Sequence, residues 1–461
     1  MTAPRPYQDR DTSIYALATP AAESALAVIR TSGPGVIEHV AACFSRPEAL
    51  REAAGNTAVV GVFVDPQDRS HIDQVVCVVY RAPRSYTGED SVEISCHGSL
   101  PVIRSIATAL EASGLRQAQA GEFTLRAFLS GKMGLTQAEA VAEIINARTD
   151  TARSLALGRL EGRLEQEIER LKQELVKVLA AVQIQLDYPE EETGEIAYDL
   201  VRLEQATSEL RNLVSTYRSG RLYQAGVQVA LAGATNAGKS SLFNRLLRED
   251  RSIVSETHGT TRDFIEATVD IADIPVRLYD TAGIRQIDES VEQEGIRRTK
   301  EVIEQAAALI YLVDATRGMD DADRQTIDSF AASGPCILLW NKIDMIADRE
   351  SGQAPDGFIP ISAETGEGLD EFRSALERTL TEGGMQLRGG ETVIDNARQA
   401  SLVRRAIESA ERTAESMRSS APADLVAVDL QDAVDALGEI TGEVTSEDIL
   451  DTMFGDFCVG K

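Results

Sequence analysis

Val227-Gln-Val-Ala-Leu-Ala-Gly-Ala-Thr-Asn-Ala-Gly-Lys-Ser240 runs from an apolar stretch into a loop framed by Gly233 and Gly238, then into Lys239 and Ser240. The pattern reads as strand, glycine-flanked loop and helix start. Such a loop turns successive backbone N–H groups toward a phosphate, and the helix N-terminus adds potential that favours negative charge. Asn236, Ala237, Gly238, Lys239, Ser240 and Ser241 are therefore the expected phosphate contacts. Lys239 is expected to reach the β- and γ-phosphates, and the Ser240 hydroxyl to ligate Mg2+.

The loop gains specificity from companions that follow in order. Asp280-Thr281-Ala282-Gly283 ends an apolar run, Val276–Tyr279. An Asp at a strand end can hold Mg2+, directly or through water, and the Gly283 N–H can reach the γ-phosphate. Asn341-Lys342-Ile-Asp344 follows the run Ile337–Trp340. A carboxylate at Asp344 accepts from both N1–H and the 2-amino group of guanine, a donor pair that adenine lacks. Ser362-Ala363-Glu364, after Phe358–Ile361, can present a backbone N–H to guanine O6. Together these point to GTP and GDP. Gly259-Thr260-Thr261-Arg-Asp263 lies between the loop and Asp280, where a switch segment belongs. A threonine there, Thr261 being the candidate, can close over Mg2+ when the γ-phosphate is present.

Outward from this core, residues 1–130 read as mixed α/β, with strands at Val59–Val64, Val75–Tyr80 and Val92–Ser95 and helical spacing over Pro101–Leu110. Thr136-Gln-Ala-Glu139 is a capping-box pattern. Leu157, Leu160, Leu164, Ile168, Leu171, Leu175, Val178 and Val182 recur at steps of three and four, predicting one helix face. Arg153, Arg159, Arg163, Arg170, Lys172 and Lys177 alternate with glutamates there and read as a solvated face. Asp187–Glu195 reads as an acidic loop, and helical spacing returns at Leu200, Leu203, Leu210, Leu213 and Tyr217. Helical patterns resume from Asn396. Residues 421–456 hold ten acids and no Lys or Arg, with Leu425, Val428, Ala433, Val434 and Leu437 as the expected buried side.

The whole chain has 461 residues, enough for about three domains, so its core needs no disulfide or metal staple. Its five cysteines are scattered without a CxxC pair and its four histidines form no zinc pattern. No run approaches a spanning helix, and charges among the first 30 residues argue against a signal peptide. These features predict a reduced, cytoplasmic protein with no membrane role. A net charge of -28 argues against a broad basic coat for nucleic acid, while leaving room for a local RNA site.

GATNAGKS, GTTRD, DTAG, NKID and SAE are similar to the Era-like GTPases over residues 226–384. The terminal Phe457-Cys458-Val-Gly-Lys461, behind such a GTPase flanked by helical segments, resembles the MnmE (TrmE) family of tRNA-modification GTPases. Ser85–Asp90, Gly121–Phe128 and Thr441–Thr445 are similar to that family too, so the resemblance covers nearly the whole chain. It implies a multidomain α/β plus all-α protein. An N-terminal α+β dimerisation and folate-binding domain would occupy 1–130. A helical bundle domain would be built from 131–225 and 385–461, with a P-loop (Ras-like) GTPase, 226–384, inserted into it.

The resemblance further implies a homodimer that works with the flavoprotein MnmG (GidA) as a heterotetramer on the wobble uridine of certain tRNAs. It implies GTP hydrolysis activated by K+-dependent dimerisation of the GTPase domains. Ile284 stands where many small GTPases carry a water-positioning Gln, so another group must position the water. Family K+ ligands fall on Asn236, Ser255, Thr257 and Thr260, and the water-orienting acid on Glu292. Contacts to a formyl-tetrahydrofolate fall on Arg30, Glu93, Lys132 and Lys461, although Thr19–Arg30 is poorer in glycine than many members. Cys458, a thiol near the tail, is the candidate nucleophile or general acid. The competing reading is a ribosome-assembly GTPase of the Era or Der type. It would require a basic KH clamp or a second P-loop, neither of which is seen here.

Overall fold

The computed structural model describes residues 11–187, 198–249, 266–280, 306–331, 334–346, 353–382, 387, 391–444, 447–455 and 457–460. Ser255, Thr257, Thr260, Thr261, Thr281, Ala282, Gly283, Glu292, Lys461 and most of the expected acidic loop lie outside the described residues. Contacts divide the chain into two compact units, Met1–Ile145 with Arg159–Arg202 and Arg412–Lys461, and Asn146–Gly158 with Leu203–Glu411. No helix among the described residues is long and apolar enough to cross a membrane.

The first unit is built on a six-stranded sheet. Its strands are β1 (Ile14–Leu17), β2 (Ser24–Ser32), β3 (Thr57–Val64), β4 (His71–Tyr80), β5 (Ser91–Gly98) and β6 (Arg116–Gln117), in the order β3-β4-β5-β2-β1-β6. Period-two alternation decides which face is core. Val75, Cys77 and Val79 of β4 are buried with Val92, Ile94 and Cys96 of β5, under Ile103, Ile106 and Leu110 of the Leu100–Ala112 helix. β1, β2 and β6 were not foreseen.

The helices correct several expectations, Asp150–Leu160 falling mainly in the second unit and the others in the first. The single face predicted from Leu157 to Val182 belongs to two helices, Asp150–Leu160 and Arg163–Asp187, parted at Gly162, whose φ of 82° suits glycine. Leu164, Ile168, Leu171, Leu175, Val178 and Val182 are buried, whereas Leu157 is exposed. Arg163–Asp187 packs against Ala423–Thr441. The latter helix buries Val426, Leu430, Ala433, Leu437 and Ile440; Leu425 and Val428 face out and Val434 is half-buried. Apolar residues ring most of that helix, so spacing alone admits more than one face. Arg159 and Lys172 are buried rather than solvated, Arg159 pairing with Glu143 at 2.9 Å and Lys172 with Glu169 and Glu443. Thr136 does not cap: it is buried inside the Leu135–Asn146 helix, and the Gln137 Oε1 accepts the Gly134 N–H instead, at 2.8 Å.

The second unit carries the other six-stranded sheet: β7 (Val227–Gly233), β8 (Glu266–Ile271), β9 (Ile274–Asp280), β10 (Ala308–Asp314), β11 (Cys336–Asn341) and β12 (Phe358–Ile361). The order is β12-β11-β10-β7-β9-β8, parallel except for β8. Leu231, Ile310, Leu312, Leu339 and Ile361 share its core with Leu242 and Leu246 of the Lys239–Glu249 helix and Phe372 and Leu376 of the Leu369–Thr381 helix.

In the first unit the fully buried Glu122 bridges two guanidinium groups, Arg116 at 2.7 Å and Arg126 at 2.9 Å. Arg126 also donates to Glu89 and to the Thr12 carbonyl. Burial works to raise the Glu122 carboxyl, but the Arg116 hydrogen bonds, the Gln119 N–H and the Arg126 charge outweigh it and hold the carboxyl below its usual range. A depressed carboxyl stabilises the fold above its unfolded pKa and loses that contribution as pH falls through the folded one. Glu122→Gln should cost about 3–5 kcal/mol near neutral pH by stranding a buried guanidinium. The difference from wild type should narrow in acid, as read by denaturant unfolding at several pH values.

Candidate nucleotide site

Parallel strands bring their carboxyl ends to one side, and a crevice forms there at the position where the strand order reverses. β7 sits at that position, with β10 on one flank and β9 on the other. The strand ends Gly233, Asp280, Asp314, Asn341 and Ile361 therefore gather along one edge. Asp280 follows the register pair Ala230–Tyr279 and lies opposite Leu231.

The loop after β7 has the backbone its glycines require. Gly233 has φ 143°, Asn236 64° and Gly238 98°. A Cβ on Gly238 would meet the Asn341 Nδ2 at 2.1 Å, so this position must stay bare. Lys239 is buried, and its ammonium donates to the carbonyls of Gly233 and Ala234 at 2.8 Å, curling along the loop. Ser240 stands one residue further along the helix with its surface exposed.

Asn341 connects the loops. It is buried, donates from Nδ2 to the Ala237 carbonyl at 2.7 Å and accepts the Ala363 N–H on Oδ1 at 3.0 Å. The Ala363 N–H is thus engaged by Asn341, a role that the motif reading did not give it. Lys342 takes φ 69° and pairs with Asp314 at 2.7 Å. Burial alone would raise the Asp314 carboxyl; bonds from Lys342 and Thr316 hold it below the usual range. Asp344 is exposed in the short turn Ile343–Met345. Ser362 is buried, and its hydroxyl accepts the Thr365 N–H at 3.0 Å.

The first unit contains a separate cavity of about 270 Å³, lined in part by Arg30, Tyr80, Arg84, Tyr86 and Glu93. Arg30 and Glu93 pair at 2.9 Å, the guanidinium stacks 5.2 Å from the Tyr86 ring centre, and Tyr80 donates to Glu93 at 3.3 Å. The tail joins here. Arg30 donates to the Gly460 carbonyl at 3.3 Å, and Val459 bridges Ala120. Lys132 instead donates to the Pro83 carbonyl at 3.0 Å. Cys458 is exposed, whereas Cys43, Cys77 and Cys96 are buried, with thiols pushed up to about 11, 12 and 11 by desolvation. Among the described residues no group of three or more His, Cys, Asp or Glu could hold a metal ion.

A family model described as "MnmE helical domain" matches residues 135–458, and one described as "GTP-binding protein TrmE N-terminus" matches residues 13–132. The chain belongs to the MnmE family. Among its relatives, the tRNA modification GTPase MnmE of Treponema denticola is 40% identical, covering 97% of this chain and 98% of that protein. Those of Borrelia recurrentis and Carboxydothermus hydrogenoformans are each 38% identical, covering 99% and 97% of this chain and 100% and 99% of theirs. MnmE proteins are GTPases, and the edge assembled from β7, β9, β10, β11 and β12 is where this MnmE chain carries its guanine-nucleotide motifs. An N-terminal TrmE domain, a helical domain and a P-loop GTPase fold are its parts, as expected.

Arg245 was missed because it belongs to no motif. It lies six residues past Lys239 and donates to the carbonyls of Glu364 and Thr365 at 3.0 and 2.8 Å. Gly366 lets it approach, since a Cβ there would meet the guanidinium at 2.4 Å. Arg245 thus braces the Ser362–Glu364 loop against the phosphate-loop helix. Arg245→Ala should weaken discrimination between GDP and the 2-aminopurine riboside diphosphate, which lacks O6 and with it the N1–H, by about tenfold, roughly one charge-assisted hydrogen bond. Discrimination against IDP, which depends on Asp344, should hold, and Arg245→Lys should restore part of the loss. Competition binding measures all three.

Proposed function

We propose that this chain is a K+-activated GTPase that acts with the flavoprotein MnmG to add a carboxymethylaminomethyl or aminomethyl group to C5 of the wobble uridine of certain tRNAs. The chain works as a cytoplasmic homodimer, within a heterotetramer, and hydrolysis drives the domain rearrangement. The observation that carries the nucleotide part is the Asn341 bridge, which holds the Ala237 carbonyl and the Ala363 N–H in one frame.

In this reading the loop N–H groups from Asn236 to Ser241 hold the phosphates and Lys239 exchanges its carbonyl partners for phosphate oxygens. Asp344 pairs with the guanine edge. Ser240 and Thr261 would hold Mg2+, with Asp280, Thr281, Ala282 and Gly283 facing the γ-phosphate. Hydroxyl and carboxylate oxygens suit so hard a cation. Asn236, Ser255, Thr257 and Thr260 would hold K+, which when bound offsets charge developing between the phosphates. What supports Asn236 is its left-handed backbone at the exposed crest of the loop. Glu292 would orient the attacking water, a role that Ile284 lacks the polar atom to fill.

A 5-formyltetrahydrofolate or related tetrahydrofolate would sit against Arg30 and Glu93, its carboxylates drawn to Lys132 and Lys461. Support comes from the aromatic and charged lining of the Arg30 cavity. Cys458 serves as nucleophile or general acid at uridine C6 or at a folate adduct; its exposure sets it apart from the buried cysteines.

GTP turnover should be at least tenfold faster in K+ than in Na+, and Asn236→Ala should erase that difference; equal rates in the two salts would remove K+ from the mechanism. Asp344→Asn should weaken GDP by about 100-fold, the cost of an unmatched donor pair. Undiminished guanine selectivity in calorimetry would contradict its role. Mass spectrometry of tRNA nucleosides from cells lacking the protein tests the tRNA assignment, and unaltered wobble uridines would refute it.

A further inference from the structure

The second unit has a cavity of about 520 Å³ whose lining includes Arg218, Arg221 and Arg277 together with Ser219, Gly226 and Gln228. Local structure explains why three arginines meet there. Arg218 and Arg221 are three residues apart on the Tyr217–Ala225 helix, a spacing that puts them on one face. Arg277 lies in β9 opposite Gln228 of β7. Gly226 closes the junction between helix and strand with φ 70°; a Cβ there would meet the Pro275 carbonyl at 2.1 Å. That approach carries the helix end onto β9, where Arg277 donates to the Ala225 carbonyl at 3.3 Å.

No Asp or Glu occurs among the described lining residues. Arg218 and Arg221 are exposed, and neither side chain makes an ion pair or hydrogen bond among the described residues. The contrast with the rest of the chain is sharp. Asp and Glu outnumber Lys and Arg by 74 to 46, and elsewhere arginines pair with carboxylates along helix after helix. Uncompensated like charges held together repel one another, so a polyanion gains where the protein alone loses. Guanidinium groups fork onto phosphate oxygens with two parallel donors, which favours a phosphate backbone over a point charge. The cavity lies at the start of β7. The nucleotide loop lies at its far end, roughly 20 Å away at about 3.3 Å per strand residue, so the patch is distinct from the GTP site.

We propose that Arg218, Arg221 and Arg277 form a contact site for the phosphate backbone of RNA, and that this is where an otherwise acidic chain holds its tRNA. The proposal rests on the tRNA reading given above. Its test measures binding of fluorescent bulk tRNA to the full chain at salt concentrations from 50 to 200 mM, comparing wild type with R218Q/R221Q; Arg277 is left in place because it also caps the helix. Removing two phosphate contacts should lower affinity at least tenfold and flatten the log–log salt slope by about 1.4 to 1.8. GDP affinity and thermal stability should not change. A double variant with the wild-type affinity and slope would overturn the patch while leaving the tRNA reading intact. A wild-type chain that binds no tRNA would also overturn it, with the nucleoside analysis judging the tRNA reading separately. Displacement of tRNA by polyglutamate at matched charge, with no preference for RNA, would assign the surface to an acidic protein and refute the proposal.

Discussion

Two hydrogen bonds at one buried amide tie together the loops at the carboxyl edge of the second unit's sheet. Asn341 donates its N–H to the Ala237 carbonyl in the loop after β7 and accepts the Ala363 N–H in the loop after β12. Neither loop could offer those groups to water, so each depends on the amide for satisfaction. The bareness of Gly238 and the left-handed turn at Lys342 are consequences: one gives the amide room, the other turns Asp344 away from the strand. Arg245 and Lys342 reinforce the same frame from the outside, one bracing carbonyls and the other a carboxylate.

The same logic recurs in the first unit with charge in place of amides. Glu122 and Arg126 are buried under the Ser85–Asp90 stretch, where Glu89 reaches both Arg126 and Ser32 and Tyr86 meets Thr124 at 2.9 Å. A buried pair of this kind contributes little net stability relative to apolar packing, but it tolerates few alternative geometries. It fixes the backbone on which Tyr86 and Arg84 face the cavity.

Sequence carried the strands of the second sheet well, because the apolar run before each motif forms a strand, β7, β9, β11 or β12, and the parallel order brings their ends together. It carried the N-terminal sheet partly. β5 alternates apolar and polar residues and β4 carries the apolar run Val75–Tyr80, while the flanks of β2 carry polar and small residues that hide it. The buried side of Ala423–Thr441 could not be chosen, since apolar residues surround that helix and only its partner decides. Arg159 looks like a solvated charge until Glu143, 16 residues away, comes into contact, and Lys172, already beside Glu169 on its own helix, until Glu443, 271 residues away, does. Long-range pairing of that kind leaves no local trace, and the same holds for Arg245, whose partners are 119 and 120 residues distant.

The stitch between Arg30 and Gly460 spans 430 residues. A ribosome adding roughly 5–20 residues per second needs about 20 to 90 seconds to make that span. Until then the Arg30 guanidinium lacks the carbonyl that it meets in the folded chain. The first unit therefore gains this contact only after the strands of the second unit have been synthesised.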